Sequence, residues 1–347
     1  MQSPTIEMFP VPPQGESGWP WRMTPKPLPN KAPNGQSWPK ISIVTPSYNQ
    51  GHFLEETIRS VLLQGYPNLE YIIIDGGSTD NSIEIIRKYE SWLTHWVSEN
   101  DHGQSHALNK GFKLASGKIL AWLNSDDLYL YDTLYSVAQS FIERPNTDLV
   151  IGKCDKLNKS GVIEPFFPHY DTRNFEIAIR AYATWDHFSQ PSIFFKETVY
   201  KTVGPLDEKL HYTMDLDYWL RTFRMGFTAA NVNKTLSIYR EHDDSKSVAM
   251  KDLMAKETFR VLKVQCGNPF EKGWWARWRD IKKNESGYFV RNSLDAFKKG
   301  DIKRGFCFMI CSFTWPPEAL RNWIWVRLGH WIGPKRRTKK ILNRFRF

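Results

Sequence analysis

Three short polar strings carry the chemistry that this sequence can offer. They are Thr45-Pro46-Ser47-Tyr48-Asn49, Asp75-Gly76-Gly77-Ser78-Thr79-Asp80 and Asn124-Ser125-Asp126-Asp127. Tyr48 supplies a flat face for a base, with Ser47 and Asn49 as hydrogen-bonding neighbours. Gly76 and Gly77 let backbone come close to a ligand while Asp75 presents an acceptor. Taken singly, either turn is also an ordinary strand-to-helix connection, where Gly, Asp, Asn and Ser are common. Asp126 and Asp127 are more demanding, because adjacent carboxylates repel and need a cation or hydrogen-bond donors to stay ionised. Hard oxygen ligands of this kind suit Mg²⁺ or Mn²⁺ held together with substrate phosphates. The structural alternative is a helix N-cap with acids in its first turn. GxxxxGK[ST] is absent and no GxGxxG follows the first strand, which argues against a P-loop NTPase and a dinucleotide dehydrogenase.

Each string follows an apolar run, and those runs predict the elements that must hold it. Ile41–Val44 reads as a buried strand and His52–Gln64 as a helix with Leu54, Ile58, Val61 and Leu62 on one face. Tyr71–Ile74 is an all-apolar strand, as expected where both sheet faces are covered. A helix follows around Ile83–Tyr89, then strands at Trp96–Glu99 and Lys118–Leu123 separated by a Gln104–Ala115 helix. This βαβαβαβ order predicts an α/β fold with a mostly parallel sheet. Ligands in such sheets lie at the carboxyl ends of strands, where the three polar strings sit.

The 347 residues suggest roughly two domains. Residues 1–39 hold ten of the 21 prolines and read as an extended arm, whose Trp19, Trp21 and Trp38 need cover. No signal-peptide pattern opens the sequence, and no apolar run reaches the roughly 20 residues of a membrane span. Four scattered cysteines argue against a disulfide scaffold or a zinc site. The net charge of +10 is unevenly placed: residues 1–249 carry 24 Lys and Arg against 29 Asp and Glu, and residues 250–347 carry 23 against 8. The basic surplus therefore belongs to the last part of the chain.

The strings ISIVTPSYNQ, IIIDGGSTDNS, SENDHGQSHALNKGF, GKILAWLNSDD, DHFSQPSIFF, YTMDLDYWLR and IYREHDDSKS, in this order over about residues 40–247, resemble the family 2 inverting glycosyltransferases of GT-A fold. The resemblance implies a Rossmann-like GT-A domain over 40–249, with a helical, basic, Trp-rich extension over 250–347. It implies a nucleoside-diphosphate sugar donor, UDP-linked in the simplest reading, a glycan or lipid-linked acceptor, and Mn²⁺ or Mg²⁺ as cofactor. Pro46, Tyr48 and Asp75 would hold the nucleobase, although Gly76 stands where many members carry a second acid. Asp126 would touch the ribose or the metal, and Asp127 would ligate the ion, with His242 as a further metal or diphosphate contact. Asp101, Gln104, His187 and Gln190 would line the donor and acceptor pocket. Asp215 falls where the family keeps its catalytic base. Asp217, two residues on, would point elsewhere on the helix and pair with Arg221 at the surface.

The tail interleaves Trp274, Trp275, Trp278, Trp315, Trp323, Trp325 and Trp331 with Lys and Arg. Such a composition suits an anionic membrane surface, which would make the protein cytoplasmic and peripheral at the cytoplasmic face of the membrane. It also suits nucleic acid, where cations and stacking aromatics serve equally, or a plain helical subdomain. A basic nucleic-acid-binding protein and a non-catalytic carbohydrate-binding member are the alternatives to an enzyme. The presence of Asp126, Asp127 and Asp215 argues against the non-catalytic one.

Overall fold

The computed structural model describes residues 4–23, 28–165, 175–183, 189–243, 245 and 250–312. The chain divides into two compact units, Met1–Gly267 and Asn268–Phe347. His187, Trp315, Trp323, Trp325 and Trp331 lie outside the described residues.

The first unit is built on a nine-stranded sheet. β1 (Ile41–Ser47) runs parallel to both β2 (Leu69–Asp75) and β4 (Ile119–Trp122), and β3 (His95–Ser98) extends β2 in the same sense. The helices α1 (Gly51–Leu62), α2 (Ser82–Tyr89) and α3 (Gln104–Leu114) make the crossovers. This is the βαβαβαβ order that the apolar runs predict; the ends of β3 and β4 move by one residue, β2 starts two residues earlier at Leu69, and β1 runs three residues further, through Thr45-Pro46-Ser47. Ile41, Ile43, Val44 and Ile72–Ile74 are almost wholly buried, as covering both faces requires. Leu54, Ile58, Val61 and Leu62 are buried on one side of α1, each contributing about 1.5–3 kcal/mol relative to exposure.

Beyond β4 the sheet is mixed. Its spatial order is β3-β2-β1-β4-β8-β6-β9-β5, with β7 (Ile163–Pro165) attached to β6. β8 (Ile193–Lys196) is antiparallel to β4 and β6 (Leu149–Leu157), whereas β9 (Ala229–Arg240) is parallel to β6 and antiparallel to β5 (Leu128–Tyr129). α4 (Thr133–Glu143), α5 (Phe175–Ala183), α6 (Glu197–Val203), α7 (Met214–Arg224) and α8 (Lys251–Gln265) complete the unit, with α5, α7 and α8 packed together.

The proline-rich segment has little regular structure, as its missing N–H groups require. It lies on its own domain. Phe9, Trp21 and Trp38 are buried, and Trp19 Nε1 donates to Tyr129 O at 2.8 Å. Arg59 of α1, fully buried, anchors the segment by donating to Pro10 O, Pro20 O and Trp21 O.

In the second unit, α9 (Trp274–Lys298) packs against α10 (Ile302–Ser312). Phe289 stacks on Phe308, and Ser293 Oγ donates to Gly305 O at 2.8 Å. Gly305 permits this close approach, because a Cβ there would sit 2.5 Å from the Phe297 ring. Phe270 and Trp275 stand 97% and 72% exposed. Among the described residues no helix is long and apolar enough to cross a membrane.

Candidate active site

The carboxyl ends of β1, β2 and β4 open into a cavity of about 860 Å³ whose walls also include the start of α7. Of the residues singled out in the sequence, Pro46, Tyr48, Asp101, Gln104, Asp126, Asp127, Gln190 and Asp215 line it. Tyr48 is 61% exposed, so its ring face is available for stacking. Beside it Ser47 Oγ is buried with no hydrogen-bond partner among the described residues, a polar atom left at the wall of the cavity.

The β2 turn is organised from within. Asp75 is fully buried, and its carboxylate accepts from Gly77 N (3.1 Å), Ser78 N (2.8 Å), Ser78 Oγ (2.5 Å) and Ser98 Oγ (2.7 Å). Its oxygens hold the turn, and Gly76 rather than Asp75 reaches the cavity. Gly77 has φ +83°, which glycine adopts without strain. Gly76 matters for space, since a Cβ there would lie 2.7 Å from Asp101 Oδ2. The carboxylate of Asp101 therefore leans over the position where a second acid would begin. Its Oδ1 accepts from Gly103 N at 2.7 Å, which fixes its direction.

The β4 end is organised by long-range partners. Asn124 links three of the predicted residues: its Oδ1 accepts from Gln104 Nε2 (2.7 Å), and its Nδ2 donates to Asp127 Oδ2 (3.1 Å) and faces Gln190 Oε1 at 3.5 Å. Gln190 Nε2 in turn donates to Trp122 O at 2.8 Å. Arg240, at the end of β9, donates its backbone N–H to Asp127 Oδ1 and its Nε to Asp126 O, and its guanidinium pairs with Glu56 of α1. Nothing in the spacing of the sequence marks Arg240 for this role. His242 Nε2 lies 3.0 Å from Asp126 Oδ2, which places the imidazole beside the acid pair.

Burial, and then the charge of Asp126, push the Asp127 carboxyl well above its usual range. The donor set is one of hard carboxylate oxygens and a single imidazole nitrogen, which fits Mg²⁺ or Mn²⁺. Nearby Cys154 does not soften the set, because burial pushes its thiol up to about 11 and keeps it protonated at neutral pH. A second cluster, His102, His106 and Glu208, brings one ligand-type atom from each residue within 4.8 Å. There His106 Nδ1 accepts from His102 N, and both rings sit at the positive end of α3, which disfavours a cation.

Asp215 opens α7 and lines the cavity, with its Oδ1 accepting from Leu216 N at 2.8 Å. Asp217 points away, as helix geometry requires. Its pair with Arg221 is present at 2.8 Å, yet the expected surface setting is replaced by a buried one: Asp217 is 8% exposed and also accepts from Gln265 Nε2 at 2.8 Å. Tyr212, Met214, Lys156, Tyr239 and Met254 also line the cavity without having been singled out.

Comparison with known proteins agrees with this fold. The family described as Glycosyl transferase family 2 matches residues 42–203. A Bacillus subtilis (strain 168) protein, TuaG, whose name assigns it to teichuronic acid biosynthesis as a glycosyltransferase, is 29% identical over 75% of this chain and 97% of its own length. Among solved structures, S. aureus TarS 1-349 in complex with UDP-GlcNAc superposes with a TM-score of 0.54 at 16% identity, covering 78% of this chain and 90% of that one. A mannosyltransferase from Pyrobaculum calidifontis in complex with GDP-Man and Mn²⁺ gives 0.52 at 17% identity, over 84% of this chain and 80% of that one. The architecture is thus the GT-A fold, and residues 42–203 are similar to glycosyl transferase family 2.

Proposed function

We propose that this glycosyltransferase moves a sugar, with inversion, from a nucleoside diphosphate to a hydroxyl of a glycan or lipid-linked acceptor. The observation that carries this reading is the sharing of one cavity by the Asp126–Asp127 pair and Asp215. The nucleobase packs on Tyr48 near Pro46, with Ser47 Oγ and the Asp101 carboxylate beside it and Asp75 holding the turn. UDP is the simplest donor, and UDP-GlcNAc is carried by one structural neighbour. Asp126, Asp127 and His242 would hold Mn²⁺ or Mg²⁺, which offsets the charge that builds on the departing diphosphate. Gln104, Asn124 and Gln190 fix the direction of Asp127 through their shared hydrogen bonds. Asp215 accepts the proton of the acceptor hydroxyl as the new C–O bond forms, since that hydroxyl is otherwise a poor nucleophile. His187 remains an acceptor-side proposal from the sequence alone.

The test is nucleotide release from UDP-GlcNAc and GDP-Man with Mn²⁺ or Mg²⁺ by the wild type, Asp127→Ala and Asp215→Asn. Both variants are expected to fall at least about a hundredfold, in line with loss of a charge-stabilising or proton-accepting group. Equal release by all three proteins would show that this cavity is not the reaction site.

The second unit supports attachment to an anionic membrane face. Phe270 and Trp275 are exposed next to the cations Lys272 and Arg279, the combination that interfacial binding uses. Sedimentation with phosphatidylserine vesicles, comparing the wild type with Phe270→Ser/Trp275→Ser, should show the variant left in solution. Equal pelleting of the two proteins removes this assignment.

A further inference from the structure

α7 begins without a cap of its own. Thr213 stands at its N-cap, yet the Thr213 side chain makes no capping bond to the first turn. The N–H groups preceding a helix start still need partners, and a carboxylate placed there gains from charge-assisted bonds and the helix dipole. That carboxylate comes from α8. Glu257 Oε2 accepts from Tyr212 N (2.7 Å), Thr213 N (2.9 Å) and Thr213 Oγ1 (3.1 Å), while Oε1 faces His211 N at 3.3 Å. Glu257 is 9% exposed, and its Arg260 contact, at 3.4 Å to a 62% exposed guanidinium, adds little. One side chain thus gathers the whole approach to α7, immediately before Asp215.

A second tie from the same helix repeats the effect one turn further on, where Gln265 Nε2 reaches Asp217 Oδ1 at 2.8 Å. Met254, also on α8, joins Tyr212 and Met214 in the cavity wall. α8 therefore registers α7 against the site at its start and along its length. It lies outside residues 42–203, the stretch that the family matches.

We infer that Glu257 is a positioning residue that holds Asp215 in reach of the acceptor, an inference that rests on the proposed role of Asp215 as base. Glu257 faces backbone and Thr213, not the cavity, so it acts through α7. A shift of about 1 Å in a reacting group can cost on the order of a hundredfold in rate while leaving ligand binding intact.

The test uses the full chain with Mn²⁺ and two probes, UDP-GlcNAc and GDP-Man, on the wild type, Glu257→Gln, Asp215→Asn and the double variant. Glu257→Gln keeps the side-chain shape but turns an amide NH₂ toward N–H groups. Its expected result is a kcat about ten- to a hundredfold lower with donor KM within twofold, at a temperature where circular dichroism shows both proteins folded. The double variant should be no slower than Asp215→Asn within twofold, because both changes remove one function. Hydrogen exchange gives a readout free of turnover: amides of residues 211–216 should lose at least tenfold protection in Glu257→Gln, while those of β1 and β2 stay unchanged. An unchanged kcat in Glu257→Gln, a multiplicative double variant, or unchanged exchange at 211–216 overturns the inference. Full activity in Asp215→Asn instead overturns the base assignment, a separate failure that the exchange experiment does not share.

Discussion

Asp75 and Asp127 are both fully buried carboxylates at the carboxyl ends of parallel strands in one sheet. Their surroundings differ in kind. Asp75 receives four hydrogen bonds, all from residues of its own turn or of β3 beside it. Asp127 receives two among the described residues, and it has a like charge next door in Asp126. The first acid is satisfied by the fold. The second is left short of positive charge, the condition in which a bound cation brings the most. Depth of burial alone thus does not distinguish these two acids; the donor count does.

Alanine at the two positions gives the sharpest test of this contrast. Asp127→Ala should lower turnover about a thousandfold while leaving the melting temperature within a few degrees. Asp75→Ala should instead strip a buried turn of its acceptor and lower unfolding stability by about 3 kcal/mol, read by urea denaturation. Matching losses of activity and stability in the two variants would erase the distinction.

A gentler probe is the pH dependence of Mn²⁺ stabilisation. The Asp127 carboxyl has a folded-state value raised above its unfolded one, so without an ion the folded state is penalised as pH rises and that proton leaves. Proton and ion compete for the same group, and the metal-induced rise in melting temperature should therefore be larger at pH 7.5 than at pH 5.5. Asp75→Asn should preserve that trend, and Asp127→Asn should remove it. A rise that is independent of pH in the wild type would place the ion elsewhere.

The smallest expected effect concerns the space over Gly76. Gly76→Ala sets a methyl group 2.7 Å from Asp101 Oδ2, a flexible neighbour that can yield. Donor KM should rise about three- to tenfold, with stability changed by no more than about 1 kcal/mol. An unchanged KM would mean that Asp101 does not contact the donor.

What could be read in advance follows from where the physical signal is local. β1 to β4 and their helices are legible because apolar runs, helical faces and turn glycines are recorded within a dozen residues. Tyr48, Asp126 and Asp127 are legible for a related reason, being polar groups set beside elements whose register is clear, whereas Asp215 is marked by the family resemblance of its segment alone. The direction of Asp75 was not, since its side chain turns toward Ser78 and Ser98 and only the folded sheet brings Ser98 near. Arg240 and Glu257 carry no local signal, because their bonds join residues far apart along the chain and use backbone groups on one side, which leave no mark in a sequence. β5 and β7 are two and three residues long, too short for any period to show.

Arg59 carries a consequence for how this protein can change over time. Its guanidinium is wholly enclosed by Pro10, Pro20, Trp21 and Tyr89, and it sits over the rings of Phe9 and Trp21. Any other segment laid over α1 without those three carbonyl acceptors would strand that charge among apolar side chains. Arg59 and the first tryptophans must therefore be inherited as a set. Relatives that replace the leading segment are expected to carry a small or uncharged residue at the position of Arg59, so that a difference in one end of the chain is legible at a single site in α1.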